Sequence, residues 1–279
     1  MRVLSPPPAT ATRYVMGTFL KVGVNGTDPR TVQPTLKILF DEIQNLEELL
    51  SIYRPASEIS RINREAGITP VPVSRDTYDV ITRAISFAKD SSGAFDPTVW
   101  SQGDRAHFQD VVLDPEDQSV FLSKPGMSLD LGGIGKGFAM DRALLRVQDD
   151  ISLEKIHMNF GGQLLFWTRA GHFVPEKVAI EDPRNQDKEL DSFYVQVNCS
   201  VATSSNAERP GHLIDPRSGR PAELAENVTV VAPTATQAEC FSTALFVMSA
   251  EEAAAFLKQH PDVKAYIQRR SPIREAFSN

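Results

Sequence analysis

The sequence predicts an α+β fold in a single domain, and three observations support this prediction. Amphipathic helical segments and short β-branched segments are mixed along the 279 residues, without the regular strand–helix–strand alternation of a doubly wound sheet. No linker rich in Pro, Gly and Ser divides the chain, and no internal repeat is visible. A hydrophobic content of 41% and a charged content of 23% are typical of a globular protein with a sizeable core.

The expected elements follow from apolar periodicity and from turn residues. Residues 1–13 are expected to be a flexible arm, because Pro6–Pro8 cannot join a helix or a central strand, and the domain is expected to cover residues 14–279. The expected helices are Thr31–Leu50, Ser74–Lys89, Gly135–Gln148, Gln237–Met248 and Glu252–His260. The expected strands are Val15–Val24, a hairpin over Val111–Val120, Ile156–Asn159, Gln163–Trp167, Val178–Ile180, Tyr194–Val201, Val228–Val231 and Val263–Ile267.

Composition excludes several classes of function. The formal net charge of −7 disfavours a nucleic-acid binder, which needs a basic face, and disfavours charge-driven docking on an anionic membrane. We expect no membrane anchor, because the chain has neither a long apolar run nor a signal-like N-terminus. With only Cys199 and Cys240 there is no disulfide framework and no zinc cluster. A reducing cytoplasm is the expected compartment.

Two glycine-rich segments are candidate ligand loops. Asp130–Gly137 has four glycines and Lys136 at an expected strand-to-helix junction, where the backbone can approach a phosphate and the helix N-terminus favours an anion. A tight turn with a solvated lysine is the alternative. Gly161 and Gly162 follow Asn159 and suggest a loop that bends around a ligand, with a bulge between strands as the alternative.

Three acidic or basic side chains are candidates for chemistry. Asp96 precedes a proline and can accept from a ribose, an adenine or a flavin, or it can cap its own turn. His212 is in a turn-rich polar motif and can take a proton from an attacking hydroxyl, or it is a surface loop histidine. Glu239 and Thr243 share a helix face and suit a hard cation such as Mg²⁺. A capping box from Thr236 to Glu239 is the alternative.

The order of these motifs resembles the ApbE family, the FAD:protein FMN transferases, over almost the whole chain. The matching segments are Met16–Thr18, Ser51–Tyr53 with Ser60–Asn63, Gly93–Thr98, Asp130–Ala139 with Asp141, Asn159–Gly162, Ala202–Ser204, His212–Pro216 with Gly219, and Glu239–Phe246. The resemblance implies one α+β domain with FAD in a deep cleft.

The resemblance also implies roles for particular residues. His212 would be the catalytic base, and Mg²⁺ would be held by Glu239, Thr243 and a backbone carbonyl near Gly133. The residues that would line or rim the FAD site are Met16, Tyr53, Ala94, Phe95, Asp96, Asp130, Lys136, Gly161, Gly162 and Thr203. The family usually has Asp where Glu239 stands, so we expect weaker Mg²⁺ binding here and Mn²⁺ as a second usable ion.

The implied reaction uses FAD as a substrate and not as a redox cofactor. A Thr or Ser hydroxyl of an acceptor flavoprotein attacks the FMN phosphorus, and AMP departs. Residues 205–210 form a shorter segment before His212 than the family often has. This leaves two alternatives open: an FAD pyrophosphatase giving FMN and AMP, and a non-catalytic FAD-binding protein.

Overall fold

A computed structural model describes residues 9–269 apart from 103–105, 171–174, 183–184, 196–197, 207–210 and 212. Its helices are α1 Pro29–Leu50, α2 Glu58–Arg64, α3 Arg75–Asp90, α4 Gly135–Leu145, α5 Ala235–Val247 and α6 Ala250–Gln259. Its strands are β1 Ala9–Val15, β2 Thr18–Gly26, β3 Val71–Pro72, β4 Val111–Asp114, β5 Ser119–Leu122, β6 Leu153–Phe160, β7 Gln163–Thr168, β8 Glu176–Asp182, β9 Asn185–Val195, β10 Cys199–Ser205, β11 Ile214–Asp215, β12 Arg220–Pro221, β13 Ala225–Ala232 and β14 Lys264–Arg269.

The main sheet is antiparallel throughout the part of the chain that the structure describes. Its seven strands follow the order β1-β2-β6-β7-β10-β13-β14. Helices α1 and α5 contact one face of this sheet, and α4 packs against both helices. On strand β2 the residues Leu20, Val22 and Val24 alternate with exposed or half-buried neighbours and are fully buried. This period of two places their side chains under helix α1.

The opposite face of the sheet is partly covered by the β8–β9 hairpin. Val178 and Val195 of the hairpin form a second apolar cluster with Phe166 of β7 and Val201 of β10.

Helix α1 begins at the favourable N-cap Asp28, whose carboxylate accepts from the backbone N–H of Arg30. Within the described residues, no helix combines the length and the apolar character needed to cross a membrane.

Helix α5 is buried on all sides, which explains its sequence. Eleven of its thirteen residues are buried, with Phe241, Ala244 and Leu245 in the main core. A helix that is apolar all round belongs in the interior. A carboxylate there needs partners, and Glu239, which is 5% exposed, is such a carboxylate.

Helices α4 and α5 each provide a carboxylate that accepts hydrogen bonds at the N-terminal end of the other helix. Glu239 of α5 accepts from the backbone N–H of Gly137, the third residue of α4, at 2.8 Å. Asp141 of α4 accepts from the backbone N–H groups of Ala235 and Thr236, the first two residues of α5, both at 2.9 Å. The Thr236 hydroxyl also donates to Asp141. Each carboxylate therefore satisfies N–H groups that the opposite helix cannot satisfy itself and lies at its positive end.

Glycine at position 137 allows these contacts. A Cβ there would lie 2.3 Å from the carbonyl oxygen of Ala235 and 2.8 Å from the backbone nitrogen of Thr236. Only a residue without a side chain lets the two helices approach so closely.

Burial raises the pKa of Asp141 and outweighs the hydrogen bonds from Thr236 and Ala235 that lower it.

The α+β fold with one main core is confirmed, and six parts of the sequence prediction need correction. Residues 9–13 form most of β1, so the arm ends earlier than predicted, and residues 1–8 lie outside the described part. The expected strand Val15–Val24 spans a turn at Met16 and Gly17 between β1 and β2.

The other corrections concern α2, the strand Tyr194–Val201, the capping box and the bulge. Helix α2 was not predicted, and residues 194–201 include the end of β9 and the start of β10. The capping box from Thr236 to Glu239 is wrong, because α5 begins at Ala235 with Thr234 as its N-cap and Glu239 binds Gly137 instead. The alternative of a bulge at Gly161 and Gly162 is wrong, because these residues form a hairpin turn in which Phe160 pairs with Gln163.

We predict that Gly137→Ala lowers the free energy of unfolding by about 2 kcal/mol or more, because the new methyl group overlaps backbone atoms of α5. Gly135→Ala is the matched control in the same helix, since its Cβ would meet nothing closer than 4.0 Å. That control should equal the parent or gain up to about 1 kcal/mol from helix propensity. Equal stabilities of the two variants in urea denaturation would refute the close contact.

We predict that Asp141→Asn lowers the free energy of unfolding by about 1–3 kcal/mol, because an amide has one acceptor oxygen and leaves a buried N–H of α5 unpaired. The matched control is Asp79→Asn, which removes an exposed i,i+4 ion pair with Arg83 and should cost less than about 0.5 kcal/mol. Thermal or urea unfolding measures both. An Asp141→Asn variant as stable as the control would show that the cap is unimportant.

Candidate functional site

The glycine-rich turn before α4 meets the middle of α5. A Cβ on Gly133 would lie 3.0 Å from Cε2 of Phe95 and 3.5 Å from Oγ1 of Thr243. Three residues predicted separately for FAD and for metal are therefore neighbours. Thr243 donates its hydroxyl to the backbone carbonyl of Glu239 at 3.1 Å, which leaves the lone pairs of Oγ1 available to a cation.

The carboxylate of Glu239 is bound by two consecutive residues of α4. Its Oε2 accepts from the backbone N–H of Gly137 at 2.8 Å, and its Oε1 forms an ion pair with the ammonium group of Lys136. The side chain of Glu239 is 7% exposed, whereas that of Lys136 is 29% exposed. The predicted phosphate-binding lysine and the predicted metal carboxylate thus contact each other.

The donor set fits a hard cation that completes its coordination with substrate oxygens. Within the described residues, no group of three His, Cys, Asp or Glu side chains could hold an ion. Glu239 and Thr243 offer one carboxylate and one hydroxyl beside the backbone of Gly133. Mg²⁺ is commonly bound through one or two carboxylates together with waters and phosphates. Lys136 must leave Glu239 for the carboxylate to be free for such an ion.

A second segment next to this turn is held by polar contacts. Asn63 donates to the carbonyl of Leu129 and accepts from its N–H, at 2.9 and 2.7 Å. Asp130 donates its N–H to the carbonyl of Pro97 at 2.8 Å, and its carboxylate accepts from Gly132 at 2.7 Å. The Ala94–Asp96 turn and the Asp130 turn are therefore fixed side by side.

Asp96 is used within its own turn. Its Oδ1 accepts from the N–H and the hydroxyl of Thr98 at 2.7 and 2.6 Å, and its Oδ2 accepts from the N–H of Phe108 at 3.2 Å. The alternative that Asp96 caps its turn is confirmed. A contact of Asp96 with FAD remains a prediction.

Met16, Gly161 and Gly162 form a second group at the end of the sheet. Gly161 donates to the carbonyl of Phe19 at 3.0 Å. Gly161 and Gly162 have φ values of +57° and +88°, as both central residues of a type I′ hairpin turn require. Asn159 accepts from Gly162 at 3.0 Å and fixes this turn.

Tyr53 joins this group through Glu47. One carboxylate oxygen of Glu47 accepts from the backbone N–H of Met16 at 2.8 Å, and the other accepts from Arg54 at 3.1 Å. Tyr53 precedes Arg54 and is 87% exposed. An aromatic side chain left so open beside a backbone turn is available to stack on a ligand.

Gln163 and Ser204 connect the second group to α5. The amide of Gln163 donates to the carbonyl of Ala235 at 2.8 Å. The hydroxyl of Ser204 lies 2.9 Å from that of Ser242, and Ser242 donates to the carbonyl of Glu239. Thr203, predicted for the rim, pairs with the hydroxyl of Thr229 at 2.9 Å. The turns at the end of the sheet are thus bonded to the helix that carries Glu239.

The predicted general base His212 lies outside the described residues. The segment after it is anchored by Arg217, which binds Asp215 at 2.9 Å, Glu252 at 2.6 Å and the carbonyl of Val247 at 3.1 Å. A Cβ on Gly93 would lie 3.9 Å from Cγ of Arg217. Arg217 therefore connects the histidine motif to the Gly93 turn and to the C-terminal end of α5.

Sequence reasoning missed the supporting roles of Arg217, Glu47 and Gln163. Apart from Asp215 and Arg54, their partners are distant in the chain, and no local spacing indicates such contacts. Neither cysteine suits nucleophilic chemistry. Burial raises the pKa of Cys199 to about 11, and burial raises the pKa of Cys240 well above its usual value.

Comparison with known proteins identifies the family of this chain. The model of the ApbE family matches residues 16–267. The FAD:protein FMN transferase of Treponema pallidum is 30% identical over 90% of this chain and 82% of its own length. The FAD:protein FMN transferase of Klebsiella pneumoniae is 32% identical over 86% of each chain.

Solved structures give the same result for the fold. The ApbE protein of Thermotoga maritima superimposes with a TM-score of 0.81 at 27% identity, covering 94% of both chains. The flavinyl transferase ApbE of Pseudomonas stutzeri has a TM-score of 0.79 at 22% identity, covering 98% of this chain and 94% of its own, and supports the fold alone. With a family match over most of its length, this chain belongs to the ApbE family.

Proposed function

We propose that this protein is an FAD:protein FMN transferase that depends on Mg²⁺, moves FMN to a Thr or Ser hydroxyl of an acceptor flavoprotein, and releases AMP. The observation that carries the proposal is the meeting of Lys136, Glu239, Thr243 and Gly133 at the N-terminus of α4. Curated relatives named FAD:protein FMN transferases match the chain over most of its length.

The N-terminus of α4 suits the pyrophosphate of FAD. Lys136 supplies a cation, and the glycines at 132 and 133 let the backbone approach phosphate oxygens. Tyr53 and Met16 can contact a ring at the other group, and Gly162 leaves the adjacent backbone open, since nothing lies within 4 Å of where its Cβ would be. Two separate groups of residues suit a ligand with two ring systems and a central diphosphate.

The proposed step forms a bond between the acceptor oxygen and the FMN phosphorus and breaks the bond from that phosphorus to the AMP phosphate. His212 takes the proton of the attacking hydroxyl, and AMP leaves with the electron pair of the broken bond. Once released from Glu239, Lys136 can bind the negative charge of the departing phosphate. When bound, Mg²⁺ would neutralise the pyrophosphate and act as a Lewis acid, held by Glu239, Thr243 and a backbone carbonyl near Gly133.

The experiment that tests the function is intact-mass analysis of a purified candidate acceptor after incubation with this protein, FAD and Mg²⁺. We expect a mass increase of one FMN less one water on the acceptor, and one AMP per transfer by chromatography. AMP release at the same rate without acceptor, and no mass increase, would show an FAD pyrophosphatase. If neither AMP nor a mass increase is found with several acceptors, FAD binding without catalysis would be the function that remains.

We predict that His212→Ala lowers the transfer rate by about 100- to 10,000-fold, because a general base typically contributes that much. FAD affinity should stay near the parent value. The matched control is His107→Ala, since His107 is the N-cap of a 3₁₀ turn and has no proposed part in the reaction. Rates come from single-turnover assays, and binding comes from flavin fluorescence. Near-parent turnover in His212→Ala would remove this residue from the mechanism.

We predict that Glu239→Gln weakens Mn²⁺ binding by about tenfold or more, since the neutral amide keeps an acceptor for Gly137 but lacks the charge that a cation needs. The matched control is Glu42→Gln, because Glu42 is also buried and ion-paired, to Arg146 at 3.0 Å. Titration calorimetry measures both affinities. Unchanged Mn²⁺ affinity in Glu239→Gln would mean that Glu239 only caps α4.

A further inference from the structure

The carboxylate proposed for the metal already holds a cation from its own chain. Lys136 is ion-paired to Oε1 of Glu239, while Oε2 accepts from the backbone N–H of Gly137. Both oxygens of this buried carboxylate are therefore satisfied by α4. An unpaired carboxylate at 5% exposure would be costly, so this pairing stabilises the protein before any ligand binds.

The two contacts of Glu239 differ in how easily they exchange. The Gly137 contact is a backbone bond between packed helices and cannot shift without moving α4. The Lys136 contact is made by a flexible side chain that is 29% exposed and can turn its ammonium group to solvent or to an anion. Oε1 is consequently the exchangeable position.

We propose that Lys136 occupies the place of the divalent cation on Glu239 and is displaced when that cation binds. This inference rests on the proposed function. Two positive charges repel each other strongly at contact distance in a water-poor site, so Lys136 and a metal ion cannot share Oε1. The displaced ammonium group then becomes available for the diphosphate, which would attract it.

A consequence is that metal and diphosphate assist each other through one side chain. A metal ion on Glu239 releases Lys136 toward the anion, and an anion that attracts Lys136 exposes Glu239 to the metal. Such coupling is reciprocal. Without FAD, Lys136 competes with the metal, so metal affinity is lower than the donor set alone would allow.

The test is Mn²⁺ binding to the metal-free protein in the absence of FAD, measured from the electron paramagnetic resonance signal of free Mn²⁺. Lys136→Met should bind Mn²⁺ about tenfold more tightly than the parent, and Lys136→Gln should behave similarly if the first variant folds poorly. Lys136→Arg keeps the charge and should stay at or near the parent affinity. The matched control Lys155→Met removes a lysine of similar exposure that is also paired to a glutamate, Glu176, and should change nothing.

Equal or weaker Mn²⁺ binding in folded Lys136→Met and Lys136→Gln would overturn the inference while leaving the transferase proposal intact. No binding in the parent but measurable binding in Lys136→Met would support it. No binding in any variant at millimolar Mn²⁺ would overturn both the inference and the metal assignment. The gain in Mn²⁺ affinity of Lys136→Met should vanish in the double variant with Glu239→Gln. A gain that persists would place the ion elsewhere and refute the inference.

Discussion

The two carboxylate contacts between α4 and α5, made by Glu239 and Asp141, are the interaction on which the rest of the site depends. Asp141 holds the first N–H groups of α5, and Glu239 holds the third N–H group of α4. The contact requires glycine at 137, where any side chain would overlap the backbone of the other helix. Because α5 is almost wholly buried and contacts strands β10 and β13, this contact sets the position of α4 relative to the sheet.

The same contact brings the candidate site residues together. It brings Lys136 to Glu239, and it brings the glycine turn to Thr243. Glu239 therefore has two roles that compete: it stabilises the start of α4 as an anion at a positive helix end, and it is the carboxylate best placed for a cation. With one methylene more than Asp, Glu239 reaches both Gly137 and Lys136 from the neighbouring helix. In the proposed function, this reach lets Glu239 serve both as a structural cap and as a metal ligand.

The sequence predicted those features that local patterns specify. Helices α1 and α3 and the β4–β5 hairpin lie where apolar spacing, Ser74 and the Asp114 turn placed them. The strand β1 was not predicted because most of its side chains are exposed or half-buried. It is an edge strand with one partner, and such a strand carries only a weak apolar pattern. Thr236 and Glu239 matched a capping box locally. In the structure Thr236 donates to Asp141 and Glu239 accepts from Gly137, and both partners are distant in the sequence.

For the site, residue types were predictable and partnerships were not. The glycine turn, Glu239 and Thr243 were all identified, and their meeting was implied only by family resemblance. The structure shows that they meet through the α4–α5 contact. No local spacing indicates that Lys136 and Glu239 are paired, since 103 positions separate them in the chain.

The most direct test of the central claim is anomalous diffraction at the manganese edge from crystals grown with Mn²⁺ and FAD. We predict one strong peak in direct contact with the Glu239 carboxylate and Thr243 Oγ1, beside the diphosphate of FAD, with the Lys136 ammonium turned away from Glu239. A peak remote from α5, with Glu239 still paired to Lys136 in the FAD-bound protein, would contradict it.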